Sequence, residues 1–168
     1  ALYGTPSESL CNRFCKIDKE EFGIVKGITD KGYYDNSFHV SSHIKVNPFE
    51  KLRMEAPGHK YSWGGHISYI ETDSLKNNLE AVYEILKYAK AVGIHYMGIN
   101  QPVDKCHKCG YTGEFLATED GFTCPQCGNH DSTQMNVIRR VCGYLSQPDA
   151  RPFNSGKQKE VIARVKHM

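Results

Sequence analysis

The sequence predicts an α/β chain, and two observations carry that expectation. A strand-like run at residues 66–71, an apolar-periodic stretch at 74–92 and a second strand-like run at 94–100 spell strand, helix, strand. Strands joined through such a helix run parallel, because a tight turn cannot connect parallel neighbours. The second observation is a pair of Cys-x-x-Cys motifs, Cys106–Cys109 and Cys124–Cys127, which set off a compact insert at about residues 101–130.

The elements follow in order. Thr5-Pro6-Ser7-Glu8 reads as a capping box, and the spacing predicts a helix over residues 6–21. Leu10, Phe14 and Ile17 fall on one face of it, and Gly23 is its stop. A chain that opens on the cap of its first helix, without a lead-in strand, is expected to be part of something larger. Residues 23–65 are rich in Gly, Pro and Asn, with short strand-like stretches at 23–28 and 37–46. In the helix at 74–92, Leu75, Leu79, Val82, Leu86 and Ala89 form the apolar stripe, and Gly93 ends it. Residues 135–145 mix apolar and basic side chains. The tail, at about 156–167, suits one last helix with Lys157, Lys159, Arg164 and Lys166 outward.

Composition narrows the function classes. Leu, Ile, Val and Phe together make 36 of 168 residues, little for a core, and ten Tyr supply part of the shortfall. The chain is therefore expected to lean on a metal, a partner or a missing half. A net charge of +2 argues against direct nucleic-acid binding. No apolar run approaches the roughly 20 residues of a membrane span, and no basic-then-apolar opening marks a secretory signal. Seven cysteines, odd in number and including two Cys-x-x-Cys pairs, point to metal in a reducing, cytoplasmic compartment.

Each Cys-x-x-Cys turn aims two thiolates at one point, and the glycine after it, Gly110 or Gly128, permits a tight turn around the ion. Four sulfurs make a closed tetrahedral structural site, so Cys106, Cys109, Cys124 and Cys127 are read as metal ligands. A rubredoxin-like iron site uses similar turns, but the short separation of the pairs favours a zinc ribbon. Gly4 to Ser9 offers Thr5, Ser7 and Ser9 at a helix N-terminus, which suits phosphate as well as it suits an ordinary cap. His39, His43, His59 and His66 show no metal-ligand spacing; a role in moving protons is the weaker reading for each, against a surface or core histidine. By composition alone, Gly143 is a break in a strand-like run.

The run Arg139-Arg140-Val141-Cys142-Gly143-Tyr144-Leu145 and the tail PDARPFNSGKQKEVIARVKH change that weighting. They resemble the C-terminus of the oxygen-sensitive class III, or anaerobic, ribonucleoside-triphosphate reductases, which are glycyl radical enzymes. YGTPSESL at 3–10, NSFHV at 36–40, EAPGHKYSWGGHISYIE at 55–71, YMGINQPVDKCHKCGYTGEF at 96–115 and CPQCGN at 124–129 are similar to that family in the same order. The resemblance covers essentially the whole chain.

The resemblance implies the C-terminal part of a glycyl-radical-enzyme α/β barrel. Residues 1–101 would be its closing strands and helices, 102–131 a zinc ribbon, and 132–168 the glycyl radical loop and terminal helix. Gly143 would carry the radical, installed by a separate activase that uses S-adenosylmethionine and an iron–sulfur cluster. Glycine suits the task, since only it lets the Cα flatten without a side-chain clash while offering a hydrogen to abstract. The radical would generate a thiyl on an upstream cysteine, which attacks the ribose of a ribonucleoside triphosphate. Formate would be the reductant, and the complete enzyme a homodimer. The thiyl cysteine is not in this chain. Cys142 is a poor substitute, because neighbours on an extended run point to opposite sides. Cys11 and Cys15 read as small core residues. Two rival readings stand beside the split or truncated reductase: a stand-alone glycyl-radical spare part, and a zinc-ribbon binding module without catalysis.

Overall fold

The structure, a computed structural model, describes all residues except 1, 3, 5–9, 37, 64, 142–143 and 147–152, and leaves the side chains of 141 and 144–146 undescribed. In chain order the helices are α1 (Cys11–Phe22), α2 (Pro48–Tyr61), α3 (Leu79–Val92) and α4 (Ser155–Ala163). β1 (Ser68–Glu71) and β2 (Met97–Asn100) flank α3. After them come β3 (Asp104–Cys106), β4 (Thr112–Gly113), β5 (Leu116–Thr118), β6 (Gly121–Thr123), β7 (Met135–Asn136), β8 (Arg139–Val141) and β9 (Tyr144–Ser146). The chain divides into two compact units. One takes in Leu2, Gly4, Asn36–Gln101 and Arg164–Met168; the other takes in residues 10–35 and Pro102–Ala163.

In the first unit β1 and β2 pair in parallel, Ser68 beside Met97 through Glu71 beside Asn100, with α3 as the crossover. The expected strand–helix–strand unit is therefore present, with shorter elements. α3 starts at Leu79, later than residue 74, because the Asn78 side chain accepts from Ala81 N and caps it there. Its buried stripe is Ile85 and Ala89, whereas Leu79 and Leu86 are exposed. The core gathers Leu52, Ile70, Leu75, Ile85 and Ala89, with Val82, Tyr88, Val92, Met97 and Ile99 against it. The chain end runs beside β1: Val165 N donates to Ser42 O, and His167 N to Glu71 O at 2.9 Å.

α2 is a helix where none was expected. Asn47 Oδ1 accepts from Glu50 N at 2.9 Å, Glu50 reaches back to Asn47 N, and Pro48 occupies the first helical position. Among the described residues, the strand-like stretches expected at 23–28 and 37–46 form turns and irregular chain rather than strands. Ile28 N and Thr29 N both return to Val25 O, and Gly27 takes φ 78°. Phe38 takes φ 65°, and Ile44 N bonds Ser41 O.

In the second unit α1 lies against α4. The helix begins at Cys11, and the expected start on residues 5–9 lies outside the described residues. Cys11 and Cys15 are fully buried, as expected, while Leu10, Phe14 and Ile17 are exposed, so the buried face is not the apolar one predicted. A Cβ at Gly156 would sit 2.7 Å from Cys11 Sγ, which is why a glycine stands at this crossing. α4 ends at Ala163, and Lys157 is buried against Glu160 at 3.3 Å rather than turned outward. β3 pairs with both β4 and β7, while β5–β6 and β8–β9 are antiparallel hairpins. Among the described residues no helix is long and apolar enough to cross a membrane.

Candidate functional site

Two turns of the same design build the four-cysteine cluster. In the first, Gly110 N donates to Cys106 O and Cys106 N to Tyr111 O, both at 2.9 Å. In the second, Gly128 N donates to Cys124 O at 2.9 Å and Cys124 N to Asn129 O at 2.8 Å. Gly110 (φ 78°) and Gly128 (φ 67°) take the left-handed conformation that closes each turn. The sulfurs converge: Cys109 and Cys124 are 3.7 Å apart, and Cys106 and Cys127 are 3.8 Å apart. A tetrahedron with metal–sulfur bonds of about 2.3 Å has edges of about 3.8 Å. The donor set and spacing therefore fit one ion.

The thiols themselves favour a cation. Burial opposes ionisation of Cys106, but the N–H groups of Cys109 and Lys108 and the neighbouring thiols bring it down to about 6. The Tyr111 N–H favours the Cys109 thiolate, yet burial and the other three thiols push Cys109 up to about 12. One thiolate thus discourages the next unless a positive ion stands among them. Phe115, Met135 and Val137 close the hydrophobic side of the cluster. Asn129 Nδ2 points at Cys106 Sγ at 3.7 Å.

A buried ion pair ties this cluster to the strands that flank Gly143 in the sequence. Asp104, fully buried on β3, accepts from Phe115 N at 2.8 Å and from Ile138 N at 3.1 Å. It also holds the guanidinium of Arg139, the first residue of β8. Arg139 Nη2 donates in turn to Phe115 O at 3.1 Å, and the guanidinium lies over the Phe122 ring at 5.1 Å. β8 pairs with β9, Val141 opposite Tyr144. Cys142 and Gly143, between those strands in the sequence, lie outside the described residues, as do Thr5, Ser7 and Ser9.

The structure also gathers histidines that the sequence reading left unconnected. α2 places Lys51, Glu55 and His59 one turn apart on its buried side. His66 precedes β1, and His39 comes from the turn after Asn36. The His39 and His66 rings stack with centroids 4.5 Å apart, and His59 tilts over His66 at 4.3 Å. Glu55 Oε1 accepts from Val40 N at 2.9 Å and from Lys51. Burial opposes the Glu55 charge, but Lys51 and His39 hold its carboxyl below the usual range. Burial, then His39 and His59, push His66 down to about 4, so its ring is neutral at pH 7. His59 is satisfied: it bonds Ser68 Oγ at 2.9 Å and accepts from His95 N at 3.3 Å. His43, by contrast, bonds Ser41 Oγ on the surface and takes no part.

Comparison with known proteins follows the same lines. A family model described as anaerobic ribonucleoside-triphosphate reductase matches residues 1–167. The anaerobic ribonucleoside-triphosphate reductase of Escherichia coli K12 is 54% identical over all 168 residues, and the chain spans 24% of its length. That of Enterobacteria phage T4 is 54% identical over 167 residues, 27% of its length. A solved structure titled anaerobic ribonucleotide reductase aligns with 98% of this chain and 24% of its own, at TM-score 0.69 and 19% identity. A second, the anaerobic ribonucleotide reductase of Thermotoga maritima with glycerol in the active site, gives TM-score 0.55 at 19% identity, over 88% of this chain and 21% of its own. The chain thus spans about a quarter of the length of the curated relatives it matches.

Proposed function

The chain belongs to the anaerobic ribonucleoside-triphosphate reductase family, and from that premise we propose that it is the C-terminal, radical-bearing portion of such an enzyme. The complete enzyme converts ribonucleoside triphosphates to deoxyribonucleotides, with formate as reductant. The observation that carries this reading is the match at 54% identity along the entire chain. In this reading residues 1–101 close an α/β barrel, 102–131 form a zinc ribbon, and 132–168 carry the radical loop and terminal helix, in a cytoplasmic, homodimeric enzyme.

Gly143 stores the radical, after an activase removes one Cα hydrogen. The electron is then shared between the flanking amide nitrogen and carbonyl, which the flat glycine permits. The glycyl carbon takes the hydrogen atom of an upstream cysteine thiol and regains its C–H bond, which leaves a thiyl. The thiyl takes the ribose 3′ hydrogen atom, the 2′-hydroxyl departs as water with an added proton, and formate supplies the two electrons of the reduction and leaves as carbon dioxide. Cys106, Cys109, Cys124 and Cys127 hold zinc, which supplies shape and no redox chemistry. Their part is to fix the insert from which Asp104 grips Arg139, four residues before Gly143. Thr5, Ser7 and Ser9 supply backbone and hydroxyl donors for the substrate phosphates.

Reconstitution tests the reading. The chain, the upstream polypeptide that carries the thiyl cysteine and the activase are combined without oxygen, and deoxyribonucleotide is measured with formate present. Product is expected only when all three are together. Turnover by the chain alone would place the chemistry elsewhere.

A further inference from the structure

We propose that residues 164–168 form an acid-sensitive strap, pinned to β1 by the neutral ring of His167 and released when that ring takes up a proton. The segment follows α4 and belongs to none of the described helices or strands, so it can leave without unravelling one. Four successive residues of it are nonetheless bound. Val165 N donates to Ser42 O, and His167 N to Glu71 O, both at 2.9 Å. Arg164 pairs with Glu71 Oε1 at 3.4 Å, while Glu71 Oε2 accepts from Asn100 Nδ2 at 2.7 Å. Lys166 pairs with Asp73 near the surface, where such a pair holds little.

The pin is the His167 side chain, 5% exposed. Its Nδ1 accepts from Glu71 N at 2.9 Å, so His167 and Glu71 exchange two bonds, one of them through the ring. An accepting Nδ1 carries no hydrogen, and the neutral ring therefore holds its proton on Nε2. That nitrogen is buried without a hydrogen-bond partner among the described residues. A further proton has only Nδ1 to go to. There it sets one N–H against another, breaks the bond to Glu71 and leaves a cation inside the fold. The charged neighbours offer that cation no net relief. Lys51 and Glu55, from α2, pair with each other, as do Arg164 and Glu71. Burial above all, then Lys51 and Arg164 against the pull of Glu55, pushes His167 down to about 4.

The direction of the switch follows. In the released strap the ring is solvated and titrates near its ordinary value of about 6.5, so it binds a proton more readily than when pinned. Release becomes easier as pH falls from about 6.5 towards 4, and does not depend on pH above that range. If Gly143 is the radical site, as read above, the strap fastens the far end of the segment that follows it, residues 144–163. The strap itself does not rest on that reading.

Amide hydrogen exchange tests it in the full chain with zinc present, at about pH 7.5 and pH 5, with rates corrected for intrinsic exchange. The opening constant at Glu71, Val165 and His167 should rise roughly 25-fold from the higher pH to the lower, as a fall of the ring from 6.5 to about 4 requires, while the amides of α3 stay as they are. His167→Asn places an oxygen near the position of Nδ1 and cannot titrate, so protection should persist and lose its pH dependence. His167→Ala should leave the strap open at both pH values, with an unchanged circular-dichroism spectrum as the check on folding. An opening constant that does not change with pH in the wild type, a pH effect that survives in His167→Asn, or full protection in folded His167→Ala would overturn the proposal.

Discussion

Asp104 and Arg139 sit 35 residues apart in the sequence, and nothing in the spacing pairs them. The four cysteines are the opposite case. Each Cys-x-x-Cys turn is local, so its chemistry is legible in a six-residue window, and the sulfurs converge as the spacing requires. His39, Glu55 and His66 were illegible for a third reason: each comes from a different element, and one of those elements was not foreseen. The residue-scale prediction joins the first two cases. Cys124→Ser removes one corner of the tetrahedron, so the thiolate-bound ion should be lost. Because Asp104 and Phe115 hold Arg139 from the same insert, the radical yield on activation should fall as well. Metal analysis and electron paramagnetic resonance on one sample check both. Full radical yield in a metal-free variant would show that the insert does not support the strands that flank Gly143 in the sequence.

Element boundaries followed side chains that compete for the backbone. α3 begins where Asn78 caps it, and the apolar stripe from Leu75 onward could not reveal that start. The capping box of α2 was present in the sequence as Asn47-Pro48-Phe49-Glu50, but Pro57 and Gly58 within the helix masked it. Proline removes a helical hydrogen bond and glycine weakens the interior, so both argued for a loop. Tertiary packing outweighs them: Leu52, Glu55 and His59 are fully or almost fully buried, and their side of the helix cannot be released without exposing them. Asn47→Ala should cost about 1 kcal/mol of stability, the usual worth of such a cap. A urea titration is expected to show a lower midpoint with an unchanged slope. An unmoved midpoint would mean that packing alone sets the start of α2. The parallel pairing of β1 and β2 was legible in full, since a helix of this length between two strands admits little else.

At the scale of the molecule, the low aliphatic content has a visible consequence. Trp63 is 80% exposed, Leu79 72% and Ile24 71%, and Phe14 and Ile17 on α1 are also in solvent. Scattered apolar residues are ordinary, but large ones on several elements suit a chain covered by more protein. The chain spans about a quarter of its relatives' length, and the face of α1 was misjudged because amphipathic periodicity alone does not say which residues pack within this chain. The central claim is the radical on Gly143, and its most direct test is electron paramagnetic resonance after anaerobic activation with S-adenosylmethionine and the activase, comparing the wild type with Gly143→Ala. The wild type should show an organic-radical doublet and, on exposure to air, be cut at Gly143 with loss of the residues after it, about 25 in number. The alanine variant should keep its thiolate-bound ion, show no radical and stay intact in air. A doublet that persists in Gly143→Ala, or cleavage of that variant, would place the radical on another residue.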